Sequence, residues 1–175
     1  LAHGLLRGSF VPPEKVQELR DLTRTRKQLT REITRHTQRI HKTLEDANLK
    51  LTEVISSVLG TSGRAILNAI IEGHDDPDHL VELTGGRLKA SRSTLVDALT
   101  GRITDHHRFM LRMHLRQIES LEQSVRELEA RADSGPFRAA TELLTTMPGI
   151  SDITARVIVA EIGDDMSRFP TAGHL

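Results

Sequence analysis

Cysteine, tryptophan and tyrosine are absent from this chain, and each absence closes a route. Without thiols there is no disulfide scaffold, no thiolate nucleophile and no Cys-ligated zinc. A reducing, cytoplasmic setting suits such a chain best. Aromatic side chains make up only 2% of the 175 residues, so any core has to be assembled from Leu, Ile, Val and Ala. That composition favours packed helices over a sandwich or barrel. Long apolar runs are missing too: none approaches the roughly 20 residues needed to cross a bilayer, and no charged-then-apolar leader is visible. A soluble protein without a membrane partner is expected. With 37% hydrophobic residues it can still bury a real core, so disorder is not the default reading.

Neither sign of charge prevails, since 24 Lys and Arg balance 24 Asp and Glu. A neutral total argues against a nucleic-acid partner, but the distribution is uneven. Residues 1 to 50 hold 11 basic against 6 acidic side chains, and the remainder holds 13 against 18. The basic character is concentrated in one segment. The sequence starts at Leu1 without Met and stops at Pro170-Thr171-Ala172-Gly173-His174-Leu175, and it reads as a piece cut from a longer protein.

Val11-Pro12-Pro13-Glu14 has the form of a helix start, with proline tolerated in the first turn and glutamate favoured by the dipole. Leu19, Leu22, Arg26, Leu29, Ile33, His36, Ile40 and Thr43 then recur three and four apart, the spacing of a coiled-coil seam interrupted by Arg26 and His36. A second, cleaner seam runs through Leu111, His114, Ile118, Leu121, Val125, Leu128 and Ala132. Two such helices pair within one chain as an antiparallel hairpin, pair with another copy, or do both.

Between them, from about residue 48 to 104, glycines at 60, 63, 73, 85, 86 and 101 break the chain into short helical pieces. Thr61 or Ser62 caps a helix from Arg64 to Ile71, Asp76-Pro77 opens one from Asp78 to Leu83, and Ser91 or Ser93 caps one from Leu95 to Leu99. Ile66, Leu67, Ile70, Leu80, Leu83, Leu95 and Leu99 supply a small core at the hairpin's tip. Turn chemistry at Ala132-Asp133-Ser134-Gly135-Pro136 ends the second long helix. The expected architecture is therefore all-α: long antiparallel coiled-coil helices over residues 13–134 with a small helical insert, then a helix-hairpin-helix-like module over 135–175.

That last module has a helix through Ala140, Leu143 and Leu144, a turn at Met147-Pro148-Gly149-Ile150-Ser151, and a helix through Ile153, Ala155, Val157, Ile158 and Ile162. Glycine permits a tight turn, and free amides at the second helix's start can hold a phosphate. Pro148, Gly149, Ile150, Ser151 and Thr154 are the candidate contacts. Many such motifs carry glycine where this chain has Ser151, and an ordinary helical turn without a ligand is the alternative. A second candidate is the row Arg20, Arg24, Lys27, Arg31, Arg35, Arg39 and Lys42, whose steps of three and four keep the charges broadly on one side. Such a row can track a phosphate backbone without reading sequence. Alternatively it is a solvated helix face answered by Glu119, Glu122, Glu127 and Glu129.

Asp105, His106, His107 and His114 have the residue types of a metal site but spacing that is common by chance. Glu161, Asp164 and Asp165 are carboxylates of the kind that hold Mg²⁺ in phosphodiester chemistry, yet they fall at a helix end where negative charge is disfavoured. No nucleophile motif, phosphate-binding glycine loop or charge-relay set is visible, which leaves binding and scaffolding.

The stretch Leu143-Leu144-Thr145-Thr146-Met147-Pro148-Gly149-Ile150-Ser151-Asp152-Ile153-Thr154-Ala155-Arg156-Val157-Ile158-Val159-Ala160-Glu161-Ile162-Gly163-Asp164, continuing through Arg168-Phe169 to Gly173-His174-Leu175, resembles the DEDD-type insertion-sequence transposases of the "one-ten" family, whose members are bridge-RNA-guided recombinases. Leu5-Leu6-Arg7 to Val11-Pro12, Leu19-Arg20-Asp21-Leu22-Thr23-Arg24 and Ser62-Gly63-Arg64-Ala65-Ile66-Leu67 are similar to stretches expected there. The resemblance implies a three-part parent: a RuvC-like domain with four acidic Mg²⁺ ligands, a helical connector, and a transposase domain with a nucleophilic serine. On that plan residues 1–12 trail the first part, and the chain starts after its acidic residues and ends before the serine. No catalytic residue is then carried onto this chain, Ser151 included. The implied partners are DNA, guide RNA and a second copy of the chain; the competing reading is a purely structural dimerisation module without nucleic-acid affinity.

Overall fold

A computed structural model describes residues 11–84 and 90–169, together with residues 171 and 173. In order these form α1 (Glu14–Asp46), α2 (Leu51–Val54), α3 (Thr61–Glu72), α4 (Pro77–Glu82), α5 (Arg92–Leu99), α6 (Asp105–Asp133), α7 (Arg138–Thr145) and α8 (Asp152–Ile162), followed by a 3-10 turn at Met166–Arg168. No strand occurs among the described residues. Nor is any helix among them long and apolar enough to cross a membrane. The glycines at 85 and 86 lie outside the described residues.

α1 begins directly after Pro12-Pro13, with Glu14 in its first turn. It is rich in threonine, a β-branched residue of weak helix propensity. Thr34, Thr37 and Thr43 each donate a hydroxyl to the carbonyl four residues back, at 3.1, 2.8 and 2.9 Å, which keeps those groups satisfied along the helix. α6 starts on a reciprocal cap: the His107 amide donates to Thr104 Oγ1 at 3.3 Å and the Thr104 amide to His107 Nδ1 at 3.2 Å.

The chain divides into two compact units, Thr30–Gln123 and Leu1–Leu29 with Ser124–Leu175. In the first, late α1 meets early α6. Ile40, Leu44, Leu111, Leu115 and Ile118 join Ile66, Leu67, Ile70, Leu80, Leu95 and Leu99 from the short helices in one buried aliphatic core, with Leu83 partly buried against it. The short helices leave α1 and return to α6 at one place, because the Lys50 amide donates to the Ala98 carbonyl and the Arg102 amide to the Ala47 carbonyl, both at 2.8 Å. In the second unit, early α1 meets late α6: Val16 and Leu19 bury against Phe137, Val159 and Ala160, with Ala132, Ala140 and Leu144 partly covered. Within the first unit the residues just after α1 lie beside those just ahead of α6, with the Arg102 amide on the Ala47 carbonyl, while His36 lies beside His114, so α1 and α6 run antiparallel there.

Of the three short helices expected from turn residues, two start where that chemistry puts them. Asp76 caps α4 by accepting from the His79 amide at 3.1 Å, and Ser91 caps α5 by accepting from the Thr94 amide at 3.2 Å. α3, however, begins at Thr61 on Gly60 without a side-chain cap, so Thr61 and Ser62 lie inside the helix rather than ahead of it. Gly63, in the first turn, packs closely against the chain just ahead of the helix, so that a Cβ there would fall on the Val58 carbonyl. Ser62 instead donates to the Thr84 carbonyl at 3.3 Å.

Ile118 is fully buried at the meeting of α6 with the aliphatic core. Truncating it to alanine leaves a cavity as well as losing transfer energy, so Ile118→Ala is expected to lower unfolding free energy by about 2–5 kcal/mol. Urea denaturation followed by circular dichroism measures this, with Leu143→Ala, at an exposed position, as the near-neutral comparison.

Candidate nucleic-acid interface

Both candidate regions have defined places in the fold. In the helical turn, Pro148 and Gly149 form the centre of a β-turn closed by the Ile150 amide on the Met147 carbonyl at 3.1 Å. Gly149 takes φ of 88°, a left-handed conformation that favours glycine. Ser151 is the N-cap of α8, its Oγ accepting from the Thr154 amide at 3.3 Å and lying 3.0 Å from Thr154 Oγ1. Pro148, Gly149, Ser151 and Thr154 are exposed, and Ile150 is half-buried. Two features weaken the turn as an anion site. Ser151 already occupies the Thr154 amide, and Asp152 sets a carboxylate in the first turn of α8, where it meets the helix dipole that an incoming phosphate would use.

The row on α1 is not uniform. Arg20 is half-buried and ties α1 to the end of α8: its Nε donates to the Ala160 carbonyl at 3.0 Å and its Nη2 to the Glu161 carbonyl at 3.1 Å. A cation at the last carbonyls of a helix satisfies orphan acceptors and complements the dipole. Arg24 pairs with the Glu161 carboxylate at 3.1 Å. Arg20 is thus engaged inside the protein, and Arg24 in an exposed ion pair.

From Lys27 to Lys42 the situation changes. This stretch holds five Lys and Arg and a single acid, Glu32. Lys27, Arg31, Arg35, Arg39 and Lys42 are all exposed. Among the described residues only Arg35 of these has a side-chain ion pair, with Glu32 one turn earlier, an exposed contact of the kind that salt screens. At about 100° per residue, Arg31, Arg35, Arg39 and Lys42 fall within an arc of roughly 80°. The buried Ile40 and Leu44 face away from that arc. Two of the glutamates that might have answered the row are held elsewhere: Glu122 by Arg64 and Glu129 by Arg26, both at 2.6 Å.

The histidines and carboxylates do not assemble as their types suggested. His107 caps α6, Asp105 pairs with Arg108 at 2.9 Å, His106 is exposed, and His114 turns inward. Glu161 is taken by Arg20 and Arg24, while Asp165 accepts from the Ser167 hydroxyl at 2.6 Å and from Arg168 at 3.2 Å. Among the described residues no three His, Cys, Asp or Glu side chains are grouped as potential metal ligands.

One pairing was not legible in the sequence. His36 and His114, each an interruption of its seam, meet with their Nδ1 atoms 3.1 Å apart. Desolvation holds both below the ordinary value of 6.5, with Arg39 adding to the depression at each ring and Glu32 opposing it at His36. A lowered folded value means that the unfolded chain binds more protons, so the pair's stabilisation is complete above about pH 6.5 and is lost as the pH falls through the lower folded values. In chelated buffer the urea midpoint is expected to fall between pH 7.5 and pH 5.5, with a shallower fall in the double variant His36→Gln/His114→Gln; equal slopes would exclude the pair as the cause.

With the geometry in place, comparison with known proteins is informative at both ends of the chain. Residues 1–49 match the DEDD-type model of the IS110 group, described as Transposase, and residues 141–175 match the model described as Transposase IS116/IS110/IS902 family. No curated protein and no solved structure matches the chain.

Proposed function

We propose that this chain, which carries IS110-family transposase sequence at both ends, serves its transposase as a helical connector that lays one basic face of α1 along nucleic acid. The observation that carries the reading is the row Lys27, Arg31, Arg35, Arg39 and Lys42, exposed and answered by one acid only. The row lies wholly within the matched residues 1–49. Side chains spaced a turn apart on a helix can follow a phosphate backbone, which gives salt-dependent binding indifferent to base sequence. DNA is the partner that transposition requires, and guide RNA presents the same phosphate chemistry. The turn at Pro148, Gly149, Ile150, Ser151 and Thr154 is a secondary contact in this reading, limited by Asp152. The fragment-level role is binding and positioning; cleavage and joining, with any Mg²⁺ they need, are assigned to parts of the transposase that these residues do not supply.

Association of two copies belongs to the same reading. α6 exposes Phe109 and Met113, 59% and 44% accessible, one turn apart beside Arg112 and Arg116. Large apolar side chains presented together by a helix mark a surface that another protein covers.

Two measurements test these roles. The variant Arg31→Glu/Arg35→Glu/Arg39→Glu/Lys42→Glu is expected to weaken binding to a short DNA duplex at least about tenfold and to flatten the plot of log K against log salt by about 3 to 4. Unchanged affinity and slope would leave a structural connector without nucleic-acid affinity. Light scattering of Phe109→Ser/Met113→Ser against the parent chain tests association: a dimer reduced to monomer supports the α6 surface, and an identical mass removes it.

A further inference from the structure

The nucleic-acid reading makes no use of the imidazole pair inside the fold. Two helices distant in sequence each bring one ring to the same point, with 3.1 Å between Nδ1 atoms and the rings inclined at 61°. His114 is 5% exposed, while His36 is half-buried and gives the pair a side toward solvent. When both rings are neutral, one Nδ1–H donates to the other Nδ1. A single hydrogen therefore holds together two nitrogens that are both metal ligands in their neutral form.

That spacing is close to the one a metal ion imposes. Two imidazole nitrogens about 2.0–2.1 Å from a tetrahedral ion stand roughly 3.3 Å apart, so the two nitrogens already have the separation an ion needs, and each ring has to turn its lone pair toward the ion to bind it. We propose that His36 and His114 form a two-imidazole binding site for a divalent transition ion of the Zn²⁺ class, fastening α1 to α6. The ring that donated in the empty pair keeps its hydrogen on Nε2 instead, both imidazoles stay neutral, and water completes the coordination. Imidazole nitrogen suits Zn²⁺, Ni²⁺ or Cu²⁺ and not Mg²⁺ or Ca²⁺.

The surroundings set the strength. Among the described residues no third His, Cys, Asp or Glu completes the group, so the site is weaker than a closed structural zinc site. Glu32 and Arg39 are the charged side chains whose fields reach the His36 ring, Glu32 favouring positive charge there and Arg39 opposing it, and Arg39 also reaches His114. A bound cation feels the same two fields.

Isothermal titration of Zn²⁺ into the whole chain is the test. One ion per chain is expected, with affinity falling by more than about tenfold in His36→Gln and in His114→Gln, each checked for helix content by circular dichroism. Glu32→Gln should weaken the same site and Arg39→Gln tighten it, severalfold in each case. The surface pairs His74–His79 and His106–His107, with ring centres 6.0 and 6.3 Å apart, supply the control: His79→Gln/His106→Gln leaves the titration unchanged. Absence of binding at millimolar Zn²⁺, binding that survives His36→Gln, or indifference to both Glu32→Gln and Arg39→Gln would overturn the proposal. Should His114→Gln fail to fold, the His36, Glu32 and Arg39 variants decide alone. None of these outcomes bears on the duplex affinity of the basic row, so the two readings fail separately.

Discussion

Burial of the aliphatic edge of α1 is the constraint from which the other features follow. The helix is 33 residues long and has no aromatic side chain to anchor it, and most of its outward positions are charged or polar. Val16 and Leu19 in one compact unit, and Ile40 and Leu44 in the other, are almost completely removed from water. Each buried aliphatic side chain is worth roughly 1.5–3 kcal/mol, and a single helix cannot supply the covering surface. α6 and its neighbours do so, and the polar groups drawn in with the apolar edge must then find partners or cost free energy.

Those partnerships explain the odd residues of the seams. Arg26 meets Glu129, His36 meets His114, and Arg20 closes the last carbonyls of α8. None is a surface ion pair of negligible consequence, since each has at least one member substantially shielded from solvent. Removing one partner leaves the other short of its hydrogen bond. The same arrangement clears the far side of α1: its acids are few, the glutamates of α6 are partly committed to Arg26 and Arg64, and the cations from Lys27 to Lys42 remain presented to solvent.

Much of this was legible in the residues. Apolar spacing of three and four, proline before glutamate at a helix start, Asp76-Pro77 and Ser91 as caps, and the Ser134-Gly135-Pro136 stop are local devices, and local devices act through neighbours in sequence. Thr61 and Ser62 are not caps: α3 starts on Gly60, and the Ser62 hydroxyl donates instead to the Thr84 carbonyl, 22 residues away. Likewise the row on α1 reads as seven equivalent cations in sequence. Nothing local separates Arg20 and Arg24 from Arg31 and Arg39, because the acid and carbonyls that claim the first two lie about 140 residues away.

The sequence by itself determined an all-helical chain with two long amphipathic helices, a set of short ones between them, and a basic first segment; composition and periodicity suffice for that because helices form from neighbouring residues. Only the tertiary structure decided which charges are spent and which remain, and which two of nine histidines face one another. Pairing of side chains 78 residues apart, as at His36 and His114, depends on how two helices lie against each other, and that register is set by the fit of whole buried surfaces rather than by any residue's neighbours.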